Sequence, residues 1–309
     1  MPILPRLFFS VRTMIKTAYC KINLTLEILG TKRNDGFHDL KSVMHKIPLG
    51  DKIELGAKEG SGRIFFDCDT AVCSNEDNLA YRAAKAYLDE YVKNDKDIYI
   101  NLVKVTPTGA GLGGGSADAA CVLDMLFHTV GGVDEETIER IASGLGSDVV
   151  FCLEKYKCAY CTGRGEKCRS IDTLPENTAI VIAKPLESLN TKGIYKSYDE
   201  LFGDDYSKSN SDLMEKALAK GDVSEIARLC TNDFESVCIP RLEEIAHLKE
   251  KIAFYGGYAA KMSGSGSAVF GLFENDSEAL RCKEALVGDG IKEVFAFTKE
   301  DFHKMYFGE

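Results

Sequence analysis

The chain has 309 residues, 45% of them apolar and 28% charged, with a net charge of −10. That length and balance support a substantial core, in two domains or one large one. The acidic balance argues against a nucleic-acid or anionic-membrane surface, and the lack of any apolar run of about 18 residues argues against a bilayer-spanning segment. The opening stretch, MPILPRLFFSVRT, is apolar and basic but lacks the long apolar core and small-residue cleavage site of a signal peptide. Strand-like sequence begins directly after Met14, so Met14 is the expected start, residues 1–13 an extension, and the cytoplasm the expected location.

From Ala18 to Ile28 the even positions are apolar, while the odd ones are Tyr19, Lys21, Asn23, Thr25 and Glu27. Period-two alternation of this kind predicts a half-buried strand, with Lys21 and Asn23 side by side on its polar face. A turn is expected at Lys32–Gly36, then short strands at Val43–Pro48, Asp51–Leu55 and Arg63–Cys68. Helical spacing predicts a helix over Asn78–Lys93, followed by a strand at Ile98–Val105 and helices at Ser116–His128 and Glu135–Leu145. Past a turn at Thr162–Glu166 come a buried strand at Ala179–Ala183 and helices at Ser211–Lys220, Val223–Leu229 and Arg241–Phe254. Strands at Tyr258–Met262 and Ser267–Phe273, a helix at Ser277–Leu286 and a strand at Glu293–Phe297 complete the chain. Alternation in both halves implies an α+β fold with two lobes, 1–165 and 166–309.

Eleven cysteines in a chain of this kind are expected to be reduced and structural. Cys152, Cys158, Cys161 and Cys168 form the one cluster of note. Cys158 and Cys161 have C-x-x-C spacing, but Lys157–Cys161 reads as a strand, where an offset of three sends the thiols to opposite faces. No metal site is expected there.

The strongest signal is Pro107-Thr-Gly-Ala-Gly-Leu-Gly-Gly-Gly-Ser116, with five glycines between a strand and a helix expected to begin at Ser116. A loop without β-carbons lets backbone N–H groups and a helix N-terminus face an anion, and phosphate is the expected guest. It is not a Walker A loop, because Gly114 is followed by Gly115 rather than by Lys-Ser/Thr. Gly109, Gly111 and Gly114 satisfy G-x-G-x-x-G, but the region where a dinucleotide fold requires a second strand and an acid reads as a helix. His-Arg-Asp and Asp-Phe-Gly are both missing, which removes the protein kinases.

Three stretches in order resemble the GHMP kinase superfamily: Ala18-Tyr-Cys-Lys-Ile-Asn23, Pro107–Ser116, and the glycine-rich turn Lys261-Met-Ser-Gly-Ser-Gly-Ser-Ala-Val269. Within it, Asp35-Gly-Phe-His38, Glu76-Asp-Asn-Leu79, Gly146-Ser-Asp148 and Thr162-Gly-Arg-Gly-Glu166 are similar to the 4-diphosphocytidyl-2-C-methyl-D-erythritol kinases. The resemblance implies a two-lobed fold, with a ribosomal S5 domain 2-like N-terminal lobe and a ferredoxin-like C-terminal lobe. It also implies ATP and Mg²⁺ as cofactors and a small alcohol, CDP-methylerythritol, as the acceptor. Nothing in the sequence sets an oligomeric state.

Transferring a phosphoryl group demands positioning, charge neutralisation and one group to take the hydroxyl proton. Asp148 is expected in a glycine-flanked turn before an apolar strand, and by resemblance it is that base and Lys21 its charged partner. The ATP site takes in Pro107, Gly109, Ala110, Gly111, Leu112, Gly113, Gly114, Gly115 and Ser116, with Asn78, Leu79 and Lys104 as candidates around the adenosine. Asn23, Gly264, Ser265 and Gly266 are expected at the acceptor. Phe37 and Tyr195 are expected to sandwich the cytosine with His38 at its edge, and Thr191 to hydrogen-bond near the diphosphate or erythritol. Two residues depart from the family pattern. Phe37 replaces its usual Tyr, and Val150 replaces the proline of Asp-Val-Pro, which leaves another GHMP acceptor or a non-catalytic nucleotide-binding paralogue open.

Overall fold

The computed structural model describes residues 13–30, 38–70, 76–93, 95–202 and 210–308. It divides into two compact units: one with residues up to Cys20, Leu49–Thr106 and Gly114–Lys155, the other with Lys21–Pro48, Pro107–Gly113 and the chain from Tyr156 onward. Two long strands, β1 (Thr13–Leu29) and β2 (Asp39–Glu59), contribute to both. β2 merges the two short strands expected over 43–55. Gly50 permits this, since a Cβ there would sit 2.4 Å from the Ala18 carbonyl oxygen.

In the first unit β3 (Ile64–Cys68) runs parallel to β4 (Lys96–Val103), and β4 runs antiparallel to β2 with Leu55 opposite Ile100. α1 (Leu79–Glu90), α2 (Gly114–Thr129), α3 (Glu135–Leu145) and α4 (Ser147–Cys152) complete it. α2 is buried on most sides, through Ala117, Ala119, Ala120, Val122, Leu123, Met125 and Leu126. A helix apolar nearly all round belongs inside a bundle, and it packs on α1, α3 and α4.

Two expectations are corrected here. The helix after the glycine loop begins at Gly114 rather than Ser116, so Ser116 lies inside the first turn. The residues after Asp148, expected to open an apolar strand, form α4 instead, with Val149, Val150, Phe151 and Cys152 all buried. A short apolar run carries no period, so burial against neighbouring helices decides it. Val150 is the buried fourth residue of α4.

In the second unit β5 (Cys158–Thr162) pairs with residues 42–45 of β2 and with β6 (Lys167–Ser170). β7 (Ala179–Lys184) enters a separate antiparallel sheet. α5 (Thr191–Phe202), α6 (Asn210–Lys220) and α7 (Val223–Leu229) follow, then the short β8 (Thr231–Asn232), parallel to β1. α8 (Glu235–Cys238) and α9 (Glu244–Phe254) lead to β9 (Ala259–Met262), β10 (Val269–Phe273), α10 (Asp276–Gly288), β11 (Glu293–Phe297) and α11 (Lys299–Phe307). The four-stranded sheet has the order β11-β7-β10-β9. α9 and α10 pack on it over Val181, Ile252, Val269, Phe273, Cys282 and Leu286. Among the described residues no helix is long and apolar enough to cross a membrane.

Cys158 and Cys161 lie three apart in β5. Cys161 faces Cys168 across the β5–β6 register instead, with the two sulfurs 2.8 Å apart.

Candidate active site

The polar face of β1 is not a solvated one. Lys21 is 2% exposed and Asn23 1%, so a solvated strand lysine is excluded. Buried polar groups are kept only where they are hydrogen-bonded, and this face is. Thr25 Oγ1 meets Ser211 Oγ at 2.8 Å, and the Glu27 carboxylate accepts from the backbone N–H groups of Asn210 and Ser211, both at 2.9 Å, at the start of α6. An acid at that helix end also answers its dipole.

Lys21 Nζ donates to Asn23 Oδ1 at 2.8 Å and to the Gly111 carbonyl at 3.1 Å. Asn23 Nδ2 donates to Ser42 Oγ at 2.9 Å, while its Oδ1 also accepts from the Gly264 N–H at 3.0 Å. Ser263 Oγ donates to the same Gly111 carbonyl at 3.0 Å. The backbones lock likewise, Lys21 N–H to the Leu112 carbonyl at 2.9 Å and Ala268 N–H to the Ala110 carbonyl at 3.1 Å. Three segments far apart in sequence thus meet on one carbonyl, that of Gly111.

The glycine positions follow from this crossing. Gly109, Gly111 and Gly113 have φ of 63°, 75° and 71°, the left-handed region that side chains avoid. A Cβ on Gly111 would lie 2.1 Å from the Ser263 carbonyl oxygen. Beneath the third segment Asn232 Nδ2, carried by β8, donates to the Met262 and Gly264 carbonyls at 2.7 and 2.8 Å.

The glycine loop and the glycine turn both lie within stretches that GHMP kinase models match. The N-terminal domain model matches residues 78–155 and the C-terminal model residues 214–291. A 4-diphosphocytidyl-2-C-methyl-D-erythritol kinase of Caldanaerobacter subterraneus subsp. tengcongensis is 40% identical over 276 residues, 88% of this chain and 92% of the relative. This chain belongs to that family of GHMP kinases. A Desulfitobacterium hafniense relative of the same name is 38% identical over 85% of this chain and 88% of its own length. A crystal structure of a 4-(cytidine 5'-diphospho)-2C-methyl-D-erythritol kinase matches with a TM-score of 0.75 and 31% identity, covering 92% of this chain and 98% of that one. The fold extends further, to a homoserine kinase from Cytophaga hutchinsonii at a TM-score of 0.63 and 19% identity.

The remaining candidates fall as follows. Asp148 is half-buried in the first turn of α4, in the first unit. Asn78 caps α1, its Oδ1 accepting from the Ala80 N–H at 2.9 Å. Leu79 Cδ1 would lie 3.7 Å from a Cβ on Gly115. Lys104 is held between two acids that the sequence reading missed. Its Nζ lies 2.6 Å from Asp118 Oδ2 and bonds the fully buried Asp51, whose Oδ1 accepts from the N–H groups of Val105 and Thr106 at 2.5 and 2.7 Å. Burial, reinforced by the Asp51 charge and opposed by Lys104, pushes the Asp118 carboxyl up to about 7. Asp118 Oδ1 and Thr106 Oγ1 are buried without partners among the described residues. The signal for Asp118 was its place in the motif helix, two residues past Ser116. Asp51 gave none, because an acid beside Gly50 reads as a turn.

His38 is 4% exposed and lies offset-stacked on Tyr195, with centroids 5.7 Å apart and planes 16° from parallel. Tyr195 in turn meets Phe234 edge-on at 4.7 Å. Thr191 opens α5. Phe37 lies outside the described residues. Ser265 and Gly266 sit in the turn closed by Gly266 N–H to the Ser263 carbonyl at 2.9 Å.

Proposed function

We propose that this chain transfers the γ-phosphoryl group of ATP to the 2-hydroxyl of 4-diphosphocytidyl-2-C-methyl-D-erythritol, as a cytoplasmic enzyme of isoprenoid biosynthesis. The observation that carries the reading is the meeting of Lys21 and Ser263 on the Gly111 carbonyl, with Asn23 Oδ1 accepting from Lys21 and from the Gly264 N–H, in a chain 40% identical to a kinase of that name.

In this reading the backbone amides of residues 109–116 hold the ATP phosphates, and a helix opening in glycines lets the nucleotide approach its N–H groups closely. Lys104 lines the adenosine pocket with Asn78 and Leu79. The Lys21 ammonium, fixed by two neutral acceptors, supplies positive charge near the acceptor oxygen. Asp148 takes the hydroxyl proton. Mg²⁺, when bound, neutralises charge on the transferring phosphates. The Ser116 hydroxyl, in the first turn of α2, would be its protein contact.

The cytosine lies against Tyr195, with His38 at its edge. The test is ADP release from ATP across a panel of alcohols including CDP-methylerythritol, mevalonate and a sugar alcohol. Turnover confined to the cytidine substrate is expected, and Asp148→Asn should abolish it while leaving ATP binding intact. Preference for mevalonate would sink the substrate reading, and normal turnover by the variant would remove Asp148 as the base.

A further inference from the structure

Tyr195 and Asp199 are four residues apart, so one face of α5 presents both to the same neighbour. That neighbour is His38. Tyr195 stacks on its ring, and Asp199 Oδ1 lies 2.9 Å from its Nε2. The contact is close but falls short of hydrogen-bond geometry, so that Nε2 and Asp199 Oδ1 are themselves buried without hydrogen-bond partners among the described residues. The other ring nitrogen, Nδ1, is buried without a partner among the described residues. A buried imidazole nitrogen left open in this way needs an explanation.

We infer that Asp199 is the positioning residue that makes His38 a reader of the pyrimidine 4-amino group, an inference that rests on the substrate reading above. An ionised carboxylate can only accept a hydrogen bond. Its partner nitrogen must therefore carry the proton, and the hydrogen bond at one ring nitrogen sets the state of the other. With Nε2–H turned to Asp199, Nδ1 is left as a lone-pair acceptor. A cytosine edge offers an N4 donor, which that lone pair satisfies, whereas a uracil edge offers the O4 acceptor, which it opposes. Discrimination between cytidine and uridine diphosphate substrates is thus set one residue away from the base, by a carboxylate that never touches it.

The test compares wild type with Asp199→Asn and Asp199→Glu. Asp199 is 33% exposed, and the Asn variant is isosteric, so the fold should survive. An amide can turn either its oxygen or its NH₂ toward Nε2, so Asp199→Asn frees the tautomer. The expected result is a raised KM for CDP-methylerythritol with kcat within about twofold, and a cytidine-to-uridine kcat/KM ratio that falls by about tenfold or more. Asp199→Glu should restore part of that ratio. In the ¹⁵N–¹H spectrum of the free protein, His38 should be the Nε2–H form in wild type and should gain Nδ1–H in Asp199→Asn. A variant that keeps the wild-type ratio or the wild-type tautomer overturns the inference, as does a loss confined to kcat. If wild type fails to phosphorylate the cytidine substrate, the substrate reading falls instead, and the tautomer comparison still decides whether Asp199 sets His38.

Discussion

Replacing Gly111 with alanine tests the crossing on which the site is built. At φ +75° an added Cβ meets the backbone unfavourably, and it would stand 2.1 Å from the Ser263 carbonyl oxygen. Left-handed geometry alone costs a non-glycine residue about 1–2 kcal/mol. Relieving the clash means parting the two segments by roughly 1 Å, since non-bonded carbon and oxygen settle beyond about 3 Å. Ser263 cannot simply rotate away, because it is fully buried and its neighbour Gly264 already has room for no Cβ, which would lie 2.7 Å from the Gly111 oxygen. Parting them breaks the bonds from Ser263 Oγ and from Lys21 Nζ to the Gly111 carbonyl, at about 1 kcal/mol for the neutral bond and about 2 for the charged one. The sum is about 4 kcal/mol, or roughly 8 °C in melting temperature for a chain of this size.

The same motif contains its own control. A Cβ on Gly115 would meet only Leu79 Cδ1 at 3.7 Å, an ordinary contact, and Gly115 has no positive φ. Alanine there, in the first turn of α2, should stabilise the free protein by about 0.5–1 kcal/mol. Melting of both variants without nucleotide, followed by ADP release, makes the comparison. If Gly111→Ala melts within about 2 °C of wild type, or if the two variants fall together, the loops do not cross at Gly111 and the energetic reasoning is wrong.

Asn23→Ala should cost roughly 3 kcal/mol in denaturant unfolding, because it strips a partner from Lys21 Nζ, the Gly264 N–H and Ser42 Oγ at once, in a site with almost no water access. Asp118 has its carboxyl raised from 3.8 to about 7, so from pH 4 to 7 the folded state holds a proton that the unfolded state has lost. Its contribution therefore improves on acidification and is lost as pH rises, by about 1.4 kcal/mol per pH unit across that window, and Asp118→Asn should remove this slope in unfolding titrations. His45 runs the other way. Burial pulls it from 6.5 to about 4, with Lys46 O 2.6 Å from Nδ1 and the Leu174 N–H 3.3 Å from Nε2. The unfolded chain takes up that proton first, so stability is lost as pH falls from 6.5 to 4, by about 3 kcal/mol in all, and His45→Gln should flatten the acid limb.

Much of the fold was legible because long periodic segments were long in fact. The helices at 79–90 and 135–145 and the strands at 179–184, 269–273 and 293–297 all carried either a clear period or a bounded β-branched run. The misreadings cluster where period is missing. Four consecutive buried residues at 149–152 could be strand or helix, and packing in the first unit chose helix. The β8 strand has two residues, too few for any pattern. β2 was read as two strands because Pro48 and Gly50 look like a break, whereas Gly50 serves close contact with β1 instead.

The site divides along the same line. Lys21, Asn23, the glycine loop and the 263–266 turn were readable because each departs from its surroundings, as a charge in a strand or glycines where entropy disfavours them. What the sequence could not carry was which side of the strand faces water. Alternation says that two faces differ and leaves open which one is wet, and over residues 20–28 of β1 neither is. Lys21 at 2% and Glu27 at 0% exposure are tolerable only because distant segments bring partners to them: the Gly111 carbonyl to one and the first amides of α6 to the other. Asp51, Asp118 and Asp199 escaped notice for a related reason. Each is an ordinary acid in its own element and acquires meaning only from a residue that the fold brings beside it, Lys104 for the first two and His38 for the third. A buried charge is a statement about its partner, so the groups that orient a site are the last to be legible along the chain and the first to be seen once it is folded.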